Sequence, residues 1–413
     1  MTEVLDDVLD AHAAEVAACW SLRHAAVVSP AYDLAELALL DDRLERHREG
    51  LAIAGDRGWE ACERALEGED PGEVFAAGSI ALETSNWVRF GRALDARGHE
   101  PDAARALVSA IGWAPLSRVA LAIDALLDPD VPHALHFLGI AGCAVHRHDP
   151  GPHLDALLHS ATARVRARAL RAVGELARVD LAAAVREALS DDDEPCRFWA
   201  AHSLAALRDE RANDALRSIA RSASPLAERA AEMLARRLSA EGARELFETL
   251  LSEGRPRAAI IAAGASGRSG LVPLLLEHAA IDDTARLAAW SISLVTNAGA
   301  TRALHARAPA NFRAGPSDDP ADEDVAMDPD EDLPWLSADA LRAWWTAHAA
   351  EFAIDKRYLL GRPVEQPWLQ HLLLHANQAV RGAAAIELQF VARDRPRFAV
   401  GAPGFHQRLQ LAS

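Results

Sequence analysis

A 31-residue periodicity sets the terms for the middle of this chain. Ala163–Leu176 reads ARVRARALRAVGEL, Glu194–Leu207 reads EPCRFWAAHSLAAL, and Pro225–Arg237 reads PLAERAAEMLARR. Val165, Cys196 and Ala227 stand 31 residues apart, and so do Ala169, Ala200 and Ala231. Looser copies start at Arg255 (RPRAAIIAAGASG) and Thr284 (TARLAAWSISLV), with an outlying copy at Gln378 (QAVRGAAAIELQFV). A shorter apolar stretch such as HLDALLH, residues 153–159, precedes a polar turn and then the quoted segment. Each period therefore predicts two helices. Such a pair cannot bury its apolar faces alone, and stacking on its neighbours completes the core. Pro195 and Pro225 fall near the start of the second helix, where a missing N–H costs little. Asp191, Asp192 and Asp193 suit a turn and the positive end of the helix that follows.

Composition agrees. Half of the 413 residues are hydrophobic but only 5% are aromatic. The apolar content is mostly Ala and Leu, which favour helices, and no sustained run alternates as a strand would. The expected fold class is all-α, an α-solenoid with a helical N-terminal cap and a C-terminal helical segment. Four segments are expected. Residues 1–115 form a helical N-terminal region, with helices over Asp6–Leu22 and from Leu34 to Ala54 and a break at Ser29-Pro30. Residues 116–308 form the repeat solenoid. Residues 309–334, rich in Pro, Asp and Glu, read as an acidic loop or disordered insertion. Residues 335–413 resume as helix and end in a terminal repeat.

Charge narrows the partners. The formal net charge is -18, from 43 Lys+Arg against 61 Asp+Glu. A nucleic-acid binder needs a basic footprint, and an anionic membrane also attracts basic segments, so neither is expected. Arg164, Arg166, Arg168 and Arg171 give only a local basic run. Cys19, Cys62, Cys143 and Cys196 form no CxxC pair and read as buried reduced thiols. The start, MTEVLDDVLD, lacks the basic and apolar regions of a secretory signal. A cytoplasmic location is expected.

The Val165-Arg166 and Cys196-Arg197 pairs, with the Ala/Leu spacing after them, resemble the HEAT family in its short form named after phycobilisome lyases. The resemblance covers about residues 120–300 and implies a solenoid of short HEAT-like repeats, without carrying lyase chemistry. His12–Trp59, the block RYLLGRPVEQPWLQHLL from Arg357 and the closing GAPGFHQ from Gly401 are similar to uncharacterised bacterial HEAT-repeat proteins. The genes of those proteins lie in type VI secretion clusters. That likeness implies genomic company with secretion components and no biochemical activity.

The candidate chemistry weighs mostly towards bland readings. Cys143, His146 and His148 read C-x2-H-x-H, with His133, His136 and His153 nearby; a structural zinc site needs four ligands at paired spacings, so loop histidines and a buried thiol are preferred. His12, Glu15, Asp41, Asp42 and His47 converge if the first two helices pack antiparallel, but the E-x-x-H pairs of di-metal bundles are missing. GASGRSG, residues 264–270, does not match a phosphate loop. No catalytic residue, metal or cofactor is assigned. Arg166, Arg197 and Glu228 share one ladder position along the repeats and are the expected partner-binding face, although the two arginines could equally make inter-repeat salt bridges. Trp335, Trp344 and Trp345 beside the acidic segment are either a small core or a partner patch, since Trp is favoured at hot spots. The expected function is a scaffold or adaptor for a protein partner, with a type VI secretion component as the specific candidate. The alternatives are an enzyme or effector with a site in the N-terminal helices, and a nucleic-acid-binding HEAT protein.

Overall fold

A computed structural model describes residues 2–98, 100–310, 312–316, 326–392 and 394–412. The fold class is an all-α solenoid of helix pairs. The acidic stretch 317–325, part of the expected insertion, lies outside the described residues. The chain divides into two compact units, one of residues 1–207 with 372–413 and one of residues 208–371.

The first unit opens with α1 (Thr2–Ala26) and α2 (Leu34–Ile53), packed side by side. Asp33 starts α2 through a capping box. Its carboxylate accepts the Ala35 and Glu36 amides at 2.8 Å, and Glu36 returns a bond to the Asp33 amide. Such reciprocal caps satisfy amides that the helix itself cannot. Gly55, at φ +63°, turns the chain into α3 (Asp56–Ala65). The helices α4 (Pro71–Glu83), α5 (Trp87–Arg97), α6 (Pro101–Trp113), α7 (Leu116–Ala125) and α8 (His133–His146) follow. Next come α9 (Pro152–Leu158), α10 (Ala163–Glu175), α11 (Ala182–Glu187) and α12 (Glu194–Ala206). The even-numbered members α4, α6, α8, α10 and α12 pack one on the next, while α5, α7, α9 and α11 each pack on the helix that follows. The packing rule of the recognisable repeats thus runs back to Pro71.

In α12 the predicted start signals are used as expected. Pro195 stands in the first turn, and Asp193 caps the helix by accepting the Cys196 amide at 3.0 Å. Successive long helices approach closely because the facing residues are small. Ser203 of α12 donates to the Leu170 carbonyl of α10 at 2.7 Å, and the Cys196 thiol donates to the Ala163 carbonyl at 3.3 Å.

The second unit repeats the scheme. It contains α13 (Ala212–Ala220), α14 (Ala227–Ala235), α15 (Ala240–Ser252), α16 (Pro256–Ser266), α17 (Val272–His278) and α18 (Asp282–Thr296). Here α14, α16 and α18 form the stacked row, and Ser291 of α18 donates to the Ile260 carbonyl of α16 at 3.1 Å. After α19 (Ala338–His348), a hairpin of β1 (Tyr358–Leu359) and β2 (Arg362–Pro363) closes the row, within the stretch 335–413 expected to be helical. Its two turn residues, Leu360 at φ 47° and Gly361 at φ 76°, give the left-handed turn that matches strand twist. The Leu360 and Gly361 amides donate to the Leu294 and Val295 carbonyls of α18 at 2.6 and 3.0 Å.

After α20 (Gln366–His375) the chain returns to the first unit as α21 (Gln378–Val391) and α22 (Gly404–Ala412). There α21 packs on α12 and α22 packs on α2. Arg23 and Asp41 make a buried ion pair; Arg23 also donates to the Gly401 and Ala402 carbonyls at 3.1 and 2.9 Å, and Asp41 accepts the Gly404 amide at 2.5 Å. Two of the sequence blocks that carry the second resemblance, His12–Trp59 and Gly401–Gln407, are therefore one packed structure.

Candidate interaction surface

The ladder position falls in the first turns of the stacked helices. Arg166 grips Asp191 with two nitrogens, at 2.9 and 2.8 Å, and donates to the Ser160 and Ala161 carbonyls at 2.9 and 3.3 Å. Arg197 repeats the second half of this arrangement, donating to the Asp191 and Asp192 carbonyls at 2.7 and 2.9 Å. Residues 31 apart thus meet carbonyls 31 apart. The Arg166 hydrogen bond is the leading cause that holds the Asp191 carboxyl below its usual range.

In the second unit Glu228 occupies the position and pairs with Arg257 at 3.2 Å. Arg257 and Arg286 continue the ladder, and the sequence reading passed over both. Their interval is 29 residues, so a strict 31-residue register steps past them. RPRAA and TARLAA nonetheless each place an arginine near the start of a helix.

These two arginines hold the described end of the acidic segment. Asp330 accepts from Arg257 at 2.7 and 3.1 Å, and its carbonyl accepts from Arg286 at 2.8 Å. Asp328 accepts from Arg286 at 2.6 Å. The Arg286 guanidinium also lies over the rings of Phe312 and Trp335, at 5.0 and 5.2 Å. Asp330 and Arg286 are both buried. Burial pushes the Asp328 carboxyl up, but the Asp330 amide and then Arg286 outweigh it and hold the carboxyl low.

The three tryptophans occupy different surroundings. Trp335 meets Phe312 edge-on at 4.8 Å; Trp344 stacks on His348 at 4.4 Å; Trp345 lies 5.6 Å from Phe352. All three are half-buried.

The histidine candidates are tied locally. His12 and His47 do converge, with their Nδ1 atoms 2.9 Å apart, while Glu15 binds Arg43 at 2.6 Å and stands 4.0 Å from the far nitrogen of His47. Burial is the main cause that lowers the His47 pKa. Asp41 is turned to Arg23, and Asp42 is exposed. His146 bonds the Ile111 carbonyl at 2.8 Å, His148 faces Asp124 at 3.4 Å, and His136 bonds the Asp128 carbonyl at 3.1 Å. Among the described residues no three His, Cys, Asp or Glu side chains form a group that could hold a metal. Burial pushes the Cys62, Cys143 and Cys196 thiols up to about 12, well away from thiolate reactivity at neutral pH.

The first unit also has a cleft of about 230 Å³ lined by Glu45, Arg48, Glu83, Trp113, Arg118 and Phe405. Its charges are mutually paired. Arg48 binds both Glu45 and Glu83, Arg118 binds Glu83 at 2.6 Å, and the Trp113 indole donates to Glu45 at 2.8 Å. Burial pushes both carboxyls up, but the arginines outweigh it and hold them low. Paired carboxylates held low make poor general acids.

The family model for HEAT repeats matches residues 152–235, from α9 through α14. That stretch of the chain is similar to HEAT repeats. No curated protein matches the chain. HEAT repeats generally mediate protein–protein contacts, because stacked helix pairs present equivalent side chains over an extended surface. Among the described residues no helix is long and apolar enough to cross a membrane.

Proposed function

We propose that this HEAT-repeat protein is a non-enzymatic scaffold or adaptor in the cytoplasm that holds a component or cargo of a type VI secretion system. One observation carries the scaffold reading. The repeat surface already holds a peptide turn, since Arg257 and Arg286 bind Asp328 and Asp330 of the chain's own acidic segment. A surface that binds one segment through repeated guanidinium groups suits shape and charge recognition. Arg166, Arg197 and Glu228 occupy the same helical turns, and the half-buried Trp335, Trp344 and Trp345 supply aromatic area. The secretion assignment rests on the sequence likeness of His12–Trp59, Arg357–Leu373 and Gly401–Gln407.

Affinity capture from the native host, read by mass spectrometry, tests this reading. Products of neighbouring secretion genes should be enriched over an untagged control. Recovery of unrelated abundant proteins alone counts against the secretion assignment.

The His12–His47 contact supports a second reading, an enzyme or effector site in the N-terminal helices. His12→Ala and His47→Ala should then abolish the cellular function while the fold survives. Full function in both variants would remove that reading.

A further inference from the structure

The acidic segment is attached to the second unit in a particular way. Its ends are fixed by backbone pairing: the Ala306 amide donates to the Trp335 carbonyl at 2.9 Å, and the Ser337 amide donates to the Leu304 carbonyl at 2.8 Å. Between Asp328 and Leu333 the chain is folded on itself. Asp328 accepts the Asp330 amide at 2.9 Å, and the Leu333 amide donates to the Asp330 carbonyl at 2.9 Å. This compact Asp-Pro-Asp turn meets α16 and α18 through two guanidinium groups, while Met327, Glu331 and Asp332 are exposed. The contact is charge-assisted and short.

The ladder position shows what is unusual here. In the first unit Arg166 and Arg197 bind the turn that precedes their own helix, 5 or 6 residues back, and Arg166 also reaches Asp191 in the turn before the next stacked helix, 25 residues on. In the second unit Arg257 and Arg286 reach groups 73 and 42–44 residues further along the chain. A side chain at the equivalent position here holds a distant peptide turn.

We propose that the Arg257–Arg286 face is a docking site for an acidic peptide of a protein partner, one with two carboxylates spaced as Asp-x-Asp, and that Asp328-Pro329-Asp330 occupies it as a built-in competitor. This rests on the scaffold reading and names the partner's chemistry. The chain itself supplies the evidence for that chemistry. Two guanidiniums at consecutive repeats match two carboxylates two positions apart, and the Phe312 and Trp335 rings both lie against Arg286. A tethered competitor reduces apparent affinity by the fraction of time the site is open. Because the competing contact is ionic, it weakens with salt while the helices remain packed.

The test uses the full chain and a fluorescent peptide of sequence AMDPDEDLPW, residues 326–335, added in trans. The D328N/D330N double variant keeps the shape of the segment and removes its charge. It should bind the peptide at least about tenfold more tightly than the unaltered chain. Adding Arg257→Gln to the double variant should abolish the gain, and a peptide with both aspartates replaced by Asn should not bind. Equal affinity for the unaltered chain and the double variant, or undiminished binding of the Asn peptide, would overturn the proposal. Hydrogen exchange on the unaltered chain gives a second readout that needs no variant to fold. Saturating peptide should speed exchange of the Asp330 and Leu333 amides, and unchanged exchange overturns the proposal. Failure here leaves the scaffold reading to the affinity capture. An absence of specific partners there, with the peptide still binding, would instead remove the scaffold reading.

Discussion

Gly174 and Ser203 face each other across α10 and α12 with no room for a methyl group between them. A Cβ on Gly174 would lie 2.5 Å from the Ser203 oxygen and 2.9 Å from its Cα. The same pair recurs in the second unit, where a Cβ on Gly264 would lie 2.8 Å from the Ser291 oxygen. Gly174→Ala should lower the thermal midpoint, with a loss of about 1–3 kcal/mol from overpacking. Ser203→Ala should cost about 1 kcal/mol through the lost bond to Leu170. Combining Gly174→Ala with Ser203→Gly should recover part of the glycine loss, because the second change removes the obstructing side chain. Strict additivity in a denaturation cycle would show that the two sites do not meet.

Among the described residues Asp41 is the carboxylate that pairs with the buried Arg23 guanidinium, and the pair also anchors the backbone from Gly401 to Gly404. Asp41→Ala leaves a buried charge unmatched and should cost about 3–5 kcal/mol. It should also expose the chain after Gln389 to limited proteolysis before the rest unfolds. An unchanged midpoint with the C-terminal segment still protected would refute this role. His12→Ala should move the midpoint much less, since His12 is half-buried and its contact is to another histidine.

The repeats were legible because their information is local. Helix-starting Pro195, capping Asp193 and the alternation of Ala with Leu act within one turn, and the HEAT match falls where that spacing is most regular. The packing of α4, α6 and α8 was less legible. Those helices obey the same stacking without keeping the 31-residue register, and stacking needs small facing residues more than a fixed loop length. The site was read in part. Arg166 and Arg197 share the period, and the pairing of Arg166 with Asp191 is an inter-repeat salt bridge of the kind the sequence left open, whereas the turn carbonyls were not foreseen. Arg257 and Arg286 were passed over because two residues fewer separate those repeats. Nothing local could reveal that Asp330 returns to Arg257, since that contact joins residues 73 apart.

Arg166 separates a structural ladder from a partner-binding one. Its side chain is about one-fifth exposed, and its donors bind Asp191, Ser160 and Ala161. Arg166→Ala should lower stability by about 1 kcal/mol, near the upper end for a partly exposed pair. Asp191→Asn should cost less, because the carbonyl contacts of Arg166 remain. If Arg166 also serves the partner, the alanine variant should lose partner binding at temperatures well below its own midpoint. A variant that unfolds earlier but binds normally assigns Arg166 to the repeat alone.

Glu175 should dominate the acid sensitivity of the first unit. Its carboxylate is buried and meets Arg168 at 3.0 Å, Arg171 at 2.8 Å and Arg397 at 3.5 Å, with Arg147 close behind. Burial alone would raise its pKa, but Arg171, Arg168, Arg147 and Arg397 outweigh burial and hold the carboxyl well below the ordinary 4.5. A carboxyl lowered on folding stabilises the fold fully above its unfolded pKa, and the stabilisation is lost as pH falls through the folded value. The midpoint should therefore be flat near neutral pH and decline once the pH drops below about 4.5. Glu175→Gln leaves four guanidinium groups without their shared counter-charge. It should cost about 3–5 kcal/mol at pH 7. The loss should shrink as the pH falls, because acid removes the same charge from the unaltered chain. A deficit that stays constant from pH 7 to pH 3 would mean that packing at Glu175, and not its ionisation, supports the unit.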